Sequence, residues 1–294
     1  MKKKRQHFVY RKYLEAWSLN EQIWCLFNKS EIKHVNLINV GLQNYFYKIE
    51  NFTTTDLEIA KQLVKHTENS IYSDYWVRFY YDLLKIESFA EDPRCEEKLI
   101  DFIQLFANQL EEEVNEKIEG KFLPFLQSLL NEDLQFVNDD KQRILFCYLL
   151  MEQFCRTNQM KNAVKENILQ CKNCDFENVW HVVRHSYASF LGIVLAIEKM
   201  NYCLLKNSNG VFITCDQPVI LTEFILSEDN CEMEVYYPLS PNLALLITKN
   251  IKYCNTTQKE VTETEVEQLN KIVSDNSLSQ LYGSSEKILE LYKV

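Results

Sequence analysis

Four polar residues stand in contexts that solvent alone does not explain. Asp216 follows the apolar run Val211-Phe212-Ile213 and precedes Gln217-Pro218. Proline fixes a turn and biases Gln217 to an extended backbone, so the carboxylate sits at the end of a strand on a rigid turn. That geometry suits a general acid, a general base or a metal ligand. It equally suits an Asx turn, in which Asp216 only accepts backbone N–H bonds. Arg156 ends an otherwise apolar helix, and a buried guanidinium needs a partner. It is either paired with Glu152, four residues back on the same helix face, or is an anion clamp for phosphate or carboxylate. Gln153, three residues before Arg156, is a further catalytic candidate. His7 opens an aromatic segment and can exchange a proton near neutral pH; the alternative is a packed, hydrogen-bonded histidine.

Metal chemistry would need a carboxylate cluster. The run 111–119 carries Glu111, Glu112, Glu113, Glu116 and Glu119. At about 100° per residue, Glu112, Glu116 and Glu119 fall within about 60° of one another, opposite the apolar stripe of Leu110 and Val114. This is either a solvated face or the wall of a cleft, where Glu112, Glu119 and Asp216 would hold Mg²⁺ or Mn²⁺. A second grouping, Cys171, Cys174, His181 and His185, has the ligand types of a zinc site. The six residues between its two halves are fewer than the roughly twelve of a finger, so a structural zinc is not expected. Phosphate-binding glycine loops, a dinucleotide fingerprint and a nucleophile elbow are all missing from the sequence.

The composition narrows the setting. The chain has 294 residues, 46% of them hydrophobic and 25% charged, with only five Gly and five Pro. This favours long helices over a many-turned β fold. A net charge of −10 excludes a protein whose whole surface tracks nucleic acid. The cluster Lys2, Lys3, Lys4 and Arg5 is either a local nucleic-acid contact or a solvated terminus. No secretory h-region follows it. The longest apolar run, 188–197, is about half of a bilayer span. A cytoplasmic protein without a membrane partner is expected. Its ten Cys include Cys147, Cys155 and Cys203 inside apolar runs, where they read as small core residues.

These residues need elements to position them. Residues 6–50 read as a short helix or turn and then a β-hairpin, Ile23–Phe27 with Ile32–Val40, around the turn Asn28-Lys29-Ser30. A helix is expected over 56–92 with Asp56 as N-cap, ended by Pro93. Another is expected over about 95–130, where Leu99, Ile103, Phe106, Leu110, Val114 and Ile118 recur at helical spacing. Gly120 and Pro124 should bend or interrupt it. Residues 140–157 read as a helix whose stretch Ile144–Met151 is apolar on every side, the mark of a helix buried in the middle of a bundle. A long helix is expected over 176–206, then strands at 211–213, 234–237 and 244–247, and a helix at 263–274. The fold class is α+β, in one domain over 1–294: a β-hairpin region (6–50), a helical centre (56–206) and a β-rich region with one helix (211–294). Strands at both ends would share one sheet.

Several segments together resemble a bacterial family, domain-of-unknown-function family four-two-three-eight. They are His7-Phe8-Val9-x-x-x-Tyr13-Leu14-x-x-Trp17, Ile71-Tyr72-Ser73-Asp74-Tyr75 with the Glu-rich helix, and Gln153-Phe154-Cys155-Arg156-Thr157. Ile213-Thr214-Cys215-Asp216-Gln217-Pro218 and Tyr237-Pro238-Leu239-Ser240-Pro241-Asn242 complete the set. The chain departs from the family pattern at Tyr10, where Pro is common, at Cys215 in place of Ser, and at Gln217 in place of Asn. The resemblance associates Glu112 and Glu119 with the family's helix. It implies a bacterial protein of conflict with phage, with nuclease-like activity. Two functions are therefore expected in competition. One is a metal-dependent, nuclease-like hydrolase acting as a defence or toxin effector. The other is a non-enzymatic protein-binding module whose polar motif residues form a structural network.

Overall fold

The computed structural model describes residues 5–49, 51–65, 71–90, 92–168, 174–208, 210–222 and 234–294. The basic residues 2–4 and Cys171 lie outside the described residues. The chain opens with strand β1 (Arg5–His7) and the short helix α1 (Arg11–Leu14). The expected hairpin follows as β2 (Gln22–Phe27) and β3 (Glu31–Asn36), antiparallel from Gln22↔Asn36 to Phe27↔Glu31. The second run stops earlier than expected, because residues 37–39 turn into a 3-10 helix capped by Asn36. Strand β4 (Leu42–Asn44) returns to pair with β1.

The helical centre divides more finely than expected. Helix α2 (Thr54–Leu63) and helix α3 (Ile71–Ala90) replace the single helix 56–92. Thr53, not Asp56, is the N-cap of α2. Its hydroxyl accepts from the Asp56 N–H, and Asp56 answers from the N3 position of a capping box. Helix α4 (Glu97–Leu130) runs through both Gly120 and Pro124. Pro124 removes one backbone donor from it, and the neighbouring Phe122, Phe125 and Leu126 are buried. Helix α5 (Asp140–Cys155) is capped by Asp139, which accepts from the Gln142 N–H at 2.8 Å. Then come α6 (Asn158–Ile168) and α7 (Phe176–Ile197), the latter capped by Asp175. Helix α7 ends at Ile197, not near 206. The chain instead enters β5 (Asn201–Lys206), whose consecutive residues Cys203, Leu204 and Leu205 are all buried, as in a strand covered on both faces.

The last third is β-rich. It holds β6 (Thr214–Cys215), β7 (Ile220–Thr222), β8 (Glu234–Ser240), β9 (Leu243–Thr248) and β10 (Gln258–Glu260). Helix α8 (Glu263–Asp275), β11 (Gln280–Gly283) and α9 (Glu286–Glu290) complete the chain. The strand expected at 211–213 begins only at Thr214. Phe212 and Ile213 are fully buried, but their N–H groups go to the Pro241 carbonyl and the Asn270 side chain rather than to a ladder.

Two sheets organise these strands. One has the order β10-β5-β9-β8-β7, antiparallel except for the parallel β10/β5 edge. The other has the order β3-β2-β11-β6, so the N-terminal hairpin and the C-terminal strands do share a sheet. Helices α5 and α7 pack side by side at the centre. Gly192 makes this possible: a Cβ there would lie 2.6 Å from Tyr148 Cα. The all-round apolar character of α5 is thereby explained, since Phe146, Leu149, Leu150 and Met151 are all buried.

Candidate functional site

The polar residues singled out in the sequence form a clasp between the chain's start and the end of α5. The Gln153 amide donates to the Phe8 carbonyl (3.1 Å) and accepts from the Tyr10 N–H (3.4 Å). Arg156 Nη2 donates to the His7 carbonyl and to Glu119 Oε1 (2.8 Å). Its guanidinium lies over the Tyr10 ring at 4.4 Å and the Tyr47 ring at 5.4 Å. Arg156 is fully buried, and its charge is retained because Tyr47, Glu119 and Tyr10 outweigh the cost of burial. Glu119, not Glu152, is its partner. Tyr13 donates to the Pro238 carbonyl (2.7 Å), pairs with Thr214 Oγ1 (2.7 Å) and stacks on Tyr237. Trp17 donates to the Phe212 carbonyl at 3.2 Å. Thr157 donates to Gln217 Oε1, and Gln217 donates to the Phe154 and Val219 carbonyls. The motif segments at 7–17, 153–157, 212–219 and 237–242 thus meet in one polar network.

Asp216 faces another way. Its carboxylate accepts from the N–H groups of Leu278 (2.9 Å), Ser279 (2.8 Å) and Gln280 (3.1 Å), and from the Ser279 hydroxyl (2.8 Å). Burial raises its pKa, partly offset by these bonds. It anchors the approach to β11. The His7 ring is half-buried, and its pKa is lowered, first by burial and then by Arg156, so it is neutral at pH 7.

The metal set Glu112, Glu119 and Asp216 is not assembled. Glu119 answers Arg156, and both Asp216 oxygens are engaged by residues 278–280. Among the described residues, no three His, Cys, Asp or Glu gather to hold a metal ion. Within the acidic run Glu112 is half-buried and Glu116 exposed, while Glu111 is fully buried.

Glu111 is the centre of a second cluster that the sequence reading did not assemble. It accepts from the Tyr80 hydroxyl and from Arg184 Nη2. His181 Nδ1 and His185 Nε2 approach its Oε2 at 3.3 and 3.4 Å. His185 Nδ1 lies 2.8 Å from Glu152 Oε1, and Arg184 Nη1 reaches Asn115 (3.2 Å) and Glu152 (3.7 Å). Trp76 stacks on His185 at 4.0 Å and donates to Ser189 Oγ. Glu111, Glu152, His181, Arg184, His185 and Tyr80 are all buried. Burial alone would raise the Glu111 pKa, yet Arg184, then His181 and His185, hold it well below the usual carboxylate range. His181 is lowered by burial. His185 is raised, because Glu152 and Glu111 outweigh burial and Arg184.

His181 and His185 do share a helix face, as their spacing of four requires, but that face meets carboxylates rather than a described thiolate. The one signal Glu111 carries is its place three before Val114 and seven before Ile118, at the apolar stripe. Arg184 lies likewise inside the apolar run of α7. Neither signal names the partner.

Among the described residues, no helix is long and apolar enough to cross a membrane. No curated protein and no solved structure matches this chain. The family model described as "Protein of unknown function (DUF4238)" matches residues 5–287. That match spans nearly the whole chain and contains every motif segment, so the chain belongs to this family.

Proposed function

We propose that the protein is a non-enzymatic binding module whose polar motif residues hold the fold. One observation carries this reading: Gln153, Asp216 and Gln217 spend their polar atoms on main-chain groups and neighbouring hydroxyls, while Arg156 commits Nη2 to the His7 carbonyl and Glu119 and leaves Nε and Nη1 without a partner among the described residues. A group so engaged has little capacity left for a substrate. The binding face is the hairpin of α3 and α4. Phe89, Leu99, Phe102 and Leu105 are exposed on it, Phe89 and Phe102 by more than 60%. Apolar side chains clustered this way mark a protein interface.

A second reading is a nuclease-like hydrolase in bacterial defence, with Mg²⁺ or Mn²⁺. The buried Glu111–His185–Glu152–Arg184 group favours it, since perturbed titratable clusters concentrate at sites of chemistry. The two readings part in one experiment. Wild type is incubated with DNA and RNA with and without Mg²⁺ and Mn²⁺, and the melting temperatures of Arg156→Ala and Asp216→Ala are measured. The binding module predicts no cleavage and a fall of about 3 kcal/mol in stability for each variant, because buried main-chain donors or acceptors lose their partners. Cleavage by wild type, removed by either substitution at an unchanged melting temperature, would sink it.

A further inference from the structure

A cavity of about 440 Å³ opens between the ends of α2 and α5, helix α6 and helix α7. Its walls are apolar, with Leu63, Met160, Val164 and Val183 among them. Two further wall residues are polar and almost completely buried. Trp180 is 1% exposed, and its indole N–H has no acceptor among the described residues. Arg184 is 1% exposed, with both terminal nitrogens committed to Glu111, Asn115 and Glu152, and its Nε–H has no acceptor either. Leaving a buried donor unpaired costs about 1–3 kcal/mol, and an apolar cavity supplies no remedy of its own. Small-molecule sites have this make-up: a concave apolar volume with a few fixed polar groups.

We propose that this cavity is a binding site for an uncharged, largely apolar molecule bearing a hydrogen-bond acceptor, such as a ketone, ester or amide carbonyl. The acceptor is neutral because the Arg184 charge is already answered by two carboxylates, Glu111 and Glu152. A ligand carboxylate would be a third negative group in a buried site. The apolar body fills the volume between α6 and α7, while the carbonyl oxygen takes the Trp180 and Arg184 N–H groups. This site is independent of the α3–α4 face and shares Arg184 with the Glu111 cluster.

Calorimetric titration of the full chain tests it with three probes of similar shape: benzophenone, diphenylmethane and diphenylacetate. Benzophenone should bind roughly three- to tenfold tighter than diphenylmethane, the worth of one or two net hydrogen bonds, and diphenylacetate weakest. Trp180→Phe keeps the aromatic wall and removes the N–H. It should lower benzophenone affinity several-fold and leave diphenylmethane unchanged. In a ¹⁵N-labelled sample one indole N–H resonance should shift with benzophenone, and that resonance should be missing in Trp180→Phe. Equal affinity for ketone and hydrocarbon would overturn the proposal. So would no binding of any probe at its solubility limit, or tightest binding of the anion.

Discussion

At the scale of single residues, the buried charges cost desolvation that only close pairing offsets. The Glu111 cluster does this by balancing two carboxylates against Arg184 and His185. Its pH dependence is specific. His185 has its pKa raised above the ordinary value of 6.5, whereas His181 and His7 are lowered. A histidine with a raised folded pKa holds its proton more tightly in the native state. That stabilisation is complete below the unfolded pKa and disappears as pH rises through the folded one. The two lowered histidines act in the opposite sense and below 6.5, so the window above 6.5 isolates His185. Calorimetry should show the wild-type melting temperature falling across this window, by roughly 3 °C for each pKa unit of upward shift. His185→Gln should be less stable at pH 6 and flat above 6.5. An equal slope in both proteins would refute the assignment.

At the scale of elements, the closeness of α5 and α7 rests on a missing side chain. A Cβ at position 192 would lie 2.6 Å from Tyr148 Cα and 2.8 Å from its nitrogen. Backbone cannot move aside as a flexible side chain can. Gly192→Ala should therefore cost about 3 kcal/mol, at the upper end for overpacking, although alanine is the better helix former. Chemical denaturation measures this directly. Gly120, also inside a helix, meets nothing within 4 Å. Gly120→Ala should stabilise by up to about 1 kcal/mol, so the pair of variants separates packing from propensity.

At the scale of the whole molecule, the chain's ends are sewn together. Strand β11 sits between β2 and β6, and the clasp ties residues 7–10 to the end of α5. The α3–α4 hairpin instead leaves Phe89 and Phe102 exposed, both within two turns of the connection. Replacing both by Glu should change stability by less than about 1 kcal/mol, as surface substitutions do, while abolishing self-association or partner capture. Light scattering on the purified chain reads the first, and pull-down with wild type as reference reads the second. A large loss of stability would place these rings in the core and remove the hairpin as a docking face.

The local part of this architecture was legible in the sequence. The β2–β3 hairpin followed from an apolar run, a turn triplet and a second run. The span of α4 followed from its three-four spacing, and the central place of α5 from its lack of a polar side. Pro93 marked a break because its effect acts within a few residues, whereas the cap of α2 was placed at Asp56 and lies at Thr53. Partner choice was decided only by tertiary structure. Glu152 and Arg156 stand four apart and satisfy the local rule for a pair, yet Glu152 turns to His185 and Arg184 while Arg156 turns to Glu119. Asp216 stood on a turn that suited catalysis or capping, and residues 278–280, sixty positions away, settled where its oxygens point. Which member of the acidic run is buried depended on the face α4 shows to α7. Short-range physics writes the elements into the sequence. The pairing of buried charges depends on which helices come side by side, and that is set by the packing of the entire chain.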